Sequence, residues 1–490
     1  MLQQQTIWIL IAEIAYLLIL GITCFRIVYD TRSGSKTLAY LLFAIFVPVI
    51  GIVFYFSFGV NYRKRKMYDR KLNVDEQFKK EVHRLFQAHN LEEAIHSDEV
   101  LLKSERLIKL LANRKSNRAF LLPNNNFQLL FNGEEKFPAL IADLQGAKHH
   151  IHIEYYIYEN DEIGNTIKEI LIAKAQQGVK VRVIYDDFGS KGIRRNIVRE
   201  LKRNGAEAYP FNKVRLLLLA NRLNYRNHRK IVIIDGIVAY TGGINVSDKY
   251  INASRNRTYW RDTHLRIKGT GAMALQQVFV SDWNFCSDEH LSVSGDQYFP
   301  FNQMEVHGQG KLQVISSGPD SDLPNILFAT LQAVHTAKSE ILLTTPYFIP
   351  DETLQQSLLM AAMGGIDVKL LVPEKGDSRI VDSVSRIYFE ELLQAGVKIY
   401  LYKRGFIHAK TFVVDGVLAS VGTANLDLRS FDLNFEVSTL IYDTQIAEQL
   451  RNAFYEDLKH SEQLFYTRWI KRSLWIKGLE RVLRLVSPFM

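Results

Sequence analysis

Two uninterrupted apolar stretches open the chain. Residues 7–28 carry only Glu13 and Arg26 as charges, and residues 38–60 carry none. At about 1.5 Å per helical residue, each is long enough to cross a hydrocarbon core of about 30 Å. Residues 31–37, with Ser33-Gly34-Ser35, form a short polar connection, so residues 1–62 read as a transmembrane helical hairpin. A cleaved secretory leader is the rival for the first stretch, but residues 1–6 have no basic start and a second apolar stretch follows at once. Glu13 either snorkels to the membrane edge or faces the partner helix.

Beyond residue 62 the pattern changes to a basic, polar, helical linker over 63–115, and then to alternating strand-like and helix-like periods. A strand pattern at 151–157 is followed by a helix ending at Gly178, a strand at 179–185 and a helix ending near Gly205. The series repeats as a strand at 341–348, a helix ending at Gly364-Gly365, a strand at 368–372, a helix closed by Gly396 and a strand at 397–402. Such alternation predicts an α/β layer structure with helices covering a sheet. The repetition predicts two related domains, 116–305 and 306–460, that face each other, followed by a separate tail, 461–490.

Both halves contain the same spacing, His-x-Lys-x4-Asp: His228, Lys230 and Asp235 in one, His408, Lys410 and Asp415 in the other. Residues two apart on a strand share a face, so each His and Lys would present an imidazole and an ammonium side by side. Asp235-Gly236 and Asp415-Gly416 read as tight turns into return strands at 237–241 and 417–421. A turn Asp that anchors backbone is a sufficient reason for either aspartate. Asn245 and Asn425 each stand 17 residues after the motif His, at the end of a small-residue corner that lets backbone N–H groups approach an anion.

Composition narrows the partners. The formal net charge of +9 and pI near 9.2 favour an anionic one. Only Cys24 and Cys286 are present, which excludes a disulfide framework or a Cys zinc site and fits a reducing compartment. Arg63-Lys64-Arg65-Lys66, with Arg70 and Lys71, follows the second apolar stretch and by the positive-inside rule places everything downstream in the cytoplasm. The tail mixes Arg468, Lys471, Arg472, Lys477, Arg481 and Arg484 with Phe465, Trp469, Leu474, Trp475, Ile476, Leu479, Val482 and Leu483. It suits either a helix lying on an anionic bilayer or an amphipathic helix packed on the domain.

The paired motifs resemble the phospholipase D superfamily. The apolar hairpin, Tyr259-Trp260-Arg261-Asp262-Thr263-His264, Thr345-Pro346-Tyr347-Phe348-Ile349-Pro350 and Gly422-Thr423-Ala424-Asn425 resemble bacterial cardiolipin synthases in particular. The resemblance implies two phospholipase D-like domains that form one pseudo-two-fold site behind the transmembrane hairpin. It implies a catalytic set of His228, Lys230, Asp235, His408, Lys410 and Asp415, with Asn245 and Asn425 binding phosphate. One His, taken as His228, forms a phosphohistidine, and the other, His408, acts as acid and base. An acidic residue downstream of each motif would orient its His: Glu436 for His408 and Asp262 for His228. The fixed donors stand in for a divalent metal, so neither metal nor other cofactor is expected. The implied partners are phosphatidylglycerol and anionic membrane lipids, without nucleic acid, and self-association is left open. Phospholipase D or another phosphatidyltransferase using water or a different alcohol is the rival of the same fold. A membrane-tethered nuclease or nucleic-acid-binding protein is the rival of another class.

Overall fold

The computed structural model describes residues 2–31, 34–47, 49–56, 91–113, 119–211, 225–253, 258–291, 298–300, 308–321 and 323–484. The basic cluster Arg63-Lys64-Arg65-Lys66 with Arg70 and Lys71, and the end of the second apolar stretch, lie outside these residues. The chain divides into a small N-terminal unit and a large unit that holds everything described from residue 91 onward except Tyr225.

In the small unit, helix Leu2–Asp30 runs for 29 residues without a break. Its segment Thr6–Asp30 has mean hydropathy 2.3 and is almost wholly unburied, with Ile7, Trp8, Leu17, Leu18, Ile22 and Phe25 all exposed. Glu13 is exposed as well. The second stretch departs from the expected single span. Its helix, Gly34–Phe46, has 13 residues, about 20 Å of rise. It stops ahead of Pro48 and resumes as Ile50–Phe54 after Val49, whose φ is 63°. Proline disfavours helical backbone in the residue before it, which explains the stop. Among the described residues one helix is long and apolar enough to cross a membrane.

Among the described residues the large unit has nineteen strands, of which fifteen form one sheet and four form two two-stranded pairs. The strands before residue 300 are β1 (Leu122–Phe131), β2 (His150–Tyr155), β3 (Lys180–Asp186), β4 (Glu207–Phe211), β5 (Lys230–Ile234), β6 (Val238–Gly242), β7 (Tyr259–Arg261) and β8 (Thr263–Gly269). Those after it are β9 (Gly310–Ser317), β10 (Glu340–Thr344), β11 (Phe348–Ile349), β12 (Asp367–Pro373), β13 (Lys398–Tyr402), β14 (Gly405–Ile407), β15 (Thr411–Val414), β16 (Leu418–Gly422), β17 (Leu426–Asp427), β18 (Glu436–Tyr442) and β19 (Ser461–Gln463). Read outward from the antiparallel β1–β9 pair, the order is β1-β8-β6-β5-β2-β3-β4 on one side. On the other it is β9-β18-β16-β15-β10-β12-β13, with β19 at the edge. The pairing senses also match: β2–β3 and β10–β12 are parallel, β2–β5 and β10–β15 antiparallel. The halves thus join edge to edge in one sheet instead of facing each other as two.

Helix ends follow the glycines. Glu162–Gln176, Ile197–Arg203, Glu352–Met363 and Phe389–Gln394 are followed by Gly178, Gly205, Gly365 and Gly396 at φ of 91°, 88°, 93° and 98°. A left-handed residue here ends a helix and lets the next strand begin.

The linker differs from expectation, and the tail helix takes the packed form of its two alternatives. The described part of the linker, 91–113, is not free polar material: Ile95, Leu101, Leu107, Ile108 and Leu111 are buried in one core with Ile315, Ile326 and Val334. Leu107, Ile108 and Leu111 share one helical face, a short period that the surrounding charges obscure. In the tail, β19 extends the sheet beside β13, and helix Leu474–Arg484 packs against helix Arg379–Ile387. Arg472 forks onto Glu480 at 2.8 and 3.0 Å, while Leu474 and Trp475 remain exposed.

Candidate active site

Each motif His lies in the extended lead-in to a strand, not within it; β5 begins at Lys230 and β15 at Thr411. Upstream of His408, β14 runs parallel to β7 with Ile407 opposite Arg261, so the next residues, His408 and Asp262, arrive side by side. His408 N–H donates to the Arg261 carbonyl at 2.7 Å, and Nδ1 sits 2.7 Å from Asp262 Oδ2. A single parallel bridge, Asn227 to Phe435, does the same for the other motif. There His228 N–H donates to the Phe435 carbonyl at 2.9 Å, and its Nδ1 is 3.0 Å from Glu436 Oε2.

The orienting pairs are therefore crossed. The expectation was Asp262 for His228 and Glu436 for His408, each within its own half; the structure gives Glu436 to His228 and Asp262 to His408. Within a half, β6 lies between β5, which follows His228, and β8, which follows Asp262, and β16 lies between β15, which follows His408, and β18, which begins at Glu436. Only the loops that cross between halves bring an imidazole onto a carboxylate. An Nδ1–H held this way fixes the tautomer and leaves Nε2 for chemistry.

The corners explain why one acid is Asp and the other Glu. A Cβ at Gly243 would lie 2.0 Å from Asp262 Oδ1, so that corner has room only for glycine. At the matching Thr423 the hydroxyl donates to Glu436 Oε2 at 2.5 Å, and Asn434 Nδ2 donates to Oε1 at 3.2 Å. Burial pushes Glu436 upward, but the charges of His228 and Lys230 and the Thr423 hydrogen bond outweigh it and leave the carboxyl below its usual range. Among the described residues Asp262 has no hydroxyl donor of this kind, and burial raises it to about 7 against the pull of Lys410.

Both lysines are buried, and each ammonium donates to the carbonyl of its own motif His, Lys230 at 2.8 Å and Lys410 at 2.5 Å. Burial lowers Lys230 to about 7, opposed by Glu436, and Lys410 to about 8, opposed by Asp262. Burial also takes His228 to about 4, against the Glu436 charge. His408 lies well below the usual imidazole range through burial and the charges of Lys410, Lys230 and His228. Lys230 and Lys410 act on both imidazoles, and His228 acts on His408, so the four groups lie within electrostatic reach of one another in the candidate site. Aromatic rings wall it: Tyr156 stands 4.9 Å from His228, and Trp260 and Phe406 stand 5.6 and 5.7 Å from His408.

The other sequence candidates are placed differently. Asp235 and Asp415 lie at the opposite ends of their strands, about 23 Å from the motif histidines at ~3.3 Å per residue. The catalytic role expected of them is corrected to a structural one. Asp235 accepts the N–H groups of Lys148, His149 and His150 at 2.8, 2.8 and 2.9 Å, and Asp415 those of Lys338, Ser339 and Glu340 at the same three distances. Both aspartates and the glycines after them have positive φ, the tight hairpin turn that closes β5–β6 and β15–β16. Asn245 spends Oδ1 on Ile157 N–H at 3.2 Å and donates through Nδ2 to Tyr250 at 2.6 Å. Asn425 donates to Asp427 at 3.1 Å. One N–H of each amide remains for a ligand.

Three supporting residues carry no sequence signal. Lys136 is buried and donates to the carbonyls of Ile244 and Asn245 at 3.2 and 3.3 Å, pinning that corner. Arg229 lies inside the motif; its Nε donates to the Glu436 carbonyl at 3.2 Å and Nη1 pairs with buried Asp282, so it holds the crossed carboxylate. Asn227 donates to buried Glu154. Their partners are 53 to 207 residues away, and no local pattern marks them.

A family model described as "Cardiolipin synthase, PLD-like domain" matches the chain twice, at residues 140–283 and 330–458. The chain belongs to the cardiolipin synthases of the phospholipase D superfamily. A second model, "Phospholipase D-nuclease N-terminal", matches residues 15–59. A cardiolipin synthase of Listeria monocytogenes serotype 4a is 43% identical over 94% of this chain and 95% of its own length. That of Staphylococcus aureus strain Mu50 is 41% identical over 95% and 94%, and the major cardiolipin synthase of Bacillus subtilis strain 168 is 40% identical over 94% and 95%. The crystal structure of a phosphatidylserine synthase from Haemophilus influenzae superposes with a TM-score of 0.58 at 16% identity, covering 79% of this chain and all of that one, a likeness of fold. As a member of its family this cardiolipin synthase is a phosphatidyltransferase.

Proposed function

We propose that the enzyme makes cardiolipin and glycerol from two phosphatidylglycerol molecules by a two-step displacement in the crossed histidine site. Two phospholipase D-like domains, 116–305 and 306–460, share that site about a pseudo-two-fold axis, a reading supported by the matching strand orders and the doubled family match. Lys230 and Lys410 hold the nonbridging oxygens, aided by Asn245 and Asn425. Nε2 of neutral His228 attacks phosphorus. The bond to glycerol breaks, and the departing oxygen takes the proton of His408, leaving a phosphatidyl group on His228. Neutral His408 then removes a proton from a hydroxyl of the second phosphatidylglycerol, whose oxygen attacks phosphorus as the P–N bond breaks. Cardiolipin leaves, with His228 neutral and His408 protonated for the next cycle.

The observation that carries this reading is the crossed pair of Nδ1–carboxylate contacts, which leaves Nε2 of each ring for chemistry with both lysines in electrostatic reach. The ionised Glu436 beside His228 supports that His as nucleophile, since an anion at Nδ1–H strengthens Nε2. His408 must be protonated when substrate is present; a phosphodiester anion offsets the lysine charges that depress it, so binding and protonation are linked.

We place the chain in the cell membrane, with the apolar N-terminal residues as a two-span hairpin and the catalytic domains on the cytoplasmic side. The exposed apolar surface of Leu2–Asp30 and the exposed Leu38, Phe46, Ile50 and Val53 of the broken second stretch support membrane contact. The test is the product profile of the purified full chain in detergent with labelled phosphatidylglycerol, with and without chelator. Cardiolipin and glycerol in equal amounts are expected in both; phosphatidic acid would indicate a lipase, and no turnover would reject the reading.

A further inference from the structure

The two sides of the site are not alike. Beyond His408, a cavity of 380 Å³ is lined by Trp260, Phe406, Thr258, Glu374 and Asp377 among others. Trp260 and Phe406 also pack on the His408 ring, so cavity and imidazole share a wall. Asp377, exposed in the loop after β12, accepts a hydrogen bond from Tyr347 at 2.7 Å and is close enough to Lys410 to help keep it charged. Its loop is fixed: Gly376 N–H donates to Asp382 at 2.9 Å, and a Cβ on Gly376 would strike that carboxylate. The equivalent loop after β3 offers nothing similar. Asp186 is taken by the N–H groups of Phe188, Gly189 and Asn227, and Asp187 by Arg194.

We propose that this cavity binds the polyol headgroup, with Asp377 and Glu374 accepting hydrogen bonds from the hydroxyls of departing glycerol and of the entering phosphatidylglycerol. The inference rests on the two-step reading. In-line displacement puts the leaving oxygen opposite the attacking imidazole. With His228 attacking, both glycerol and the second substrate use the His408 side, where the carboxylates stand. Water fits there too but gains only one or two of these contacts, so the cavity favours a polyol over hydrolysis.

The experiment runs the purified full chain in both directions, including cardiolipin plus glycerol giving two phosphatidylglycerols. Asp377→Asn should raise KM for glycerol about tenfold and increase the phosphatidic acid formed per cardiolipin several-fold. Tyr347→Phe, which frees Asp377 without removing it, should shift both in the same direction by less. An unchanged KM for glycerol in Asp377→Asn, or a fall in kcat alone, overturns the subsite. Wild-type protein that converts phosphatidylglycerol in neither direction overturns the transferase reading itself.

Discussion

Glu436 holds His228 at 3.0 Å across 208 residues of chain. The complementary contact, Asp262 to His408 at 2.7 Å, makes each imidazole depend on the half that does not contain it. Glu436→Gln should therefore impair the step that uses His228, formation of the phosphatidyl intermediate. Asp262→Asn should impair the steps that use His408. Each should lower kcat by roughly 10²–10⁴-fold, as loss of the correct tautomer does in acid–base sites. Single-turnover kinetics separate them: with a substrate whose leaving group needs no proton, Asp262→Asn recovers the first step and Glu436→Gln does not. Recovery by Glu436→Gln instead would undo the crossed assignment.

Replacing either motif His with Ala should remove at least ~10³-fold of the turnover, because one proton donor or one nucleophile is then missing outright. Folding should survive, since both rings sit at strand entrances and not in the hydrophobic clusters. Cardiolipin formation near wild-type rate by either variant, with an unchanged melting curve, would contradict the scheme.

The pH profile follows from burial. His228 gains a proton only toward about 4, so the acid limb of kcat/KM should lie well below the ordinary imidazole value. On the other side Lys230 and Lys410 lose charge at about 7 and about 8 in the free enzyme, and phosphate affinity goes with it. The alkaline limb should fall no higher than that window. An optimum above pH 9 would mean that the ammonium groups are not depressed and do not face each other.

The motif aspartates should matter for stability. Asp415→Ala removes the acceptor of three backbone N–H groups and puts a side chain without a local hydrogen bond at φ 52°. A loss of about 2–4 kcal/mol is expected from these hydrogen bonds and the left-handed backbone. Denaturant melts would show it, while kcat/KM at a permissive temperature stays within about threefold. Lost turnover with an unchanged melt would return Asp415 to the active site.

Much of this was legible in local pattern. The strand at 231–234, the Asp-Gly turns and the four helix-ending glycines follow from periods and backbone preferences that act over a few residues. The motif spacing alone brought His228, Lys230, His408 and Lys410 forward. The crossed partners were not readable, because counting downstream from each His assumes that a half completes itself. Asn227–Phe435 and Ile407–Arg261 pairing is set only when both halves share one sheet. The same holds for Lys136 and Arg229, whose buried charges serve carbonyls and carboxylates far along the chain. The broken second apolar stretch was marked by Pro48, but the absence of charge over 38–60 outweighed it.

The most direct test of the two-histidine site uses a phosphatidyl ester of p-nitrophenol, which leaves without a proton. His408→Ala should release one equivalent of p-nitrophenol in a burst and retain the phosphatidyl group on the peptide containing His228, while His228→Ala should give neither burst nor adduct. A burst and an adduct on His408 in the His228→Ala protein, or release without any labelled imidazole in His408→Ala, would contradict attack by His228 on a phosphorus shared with His408.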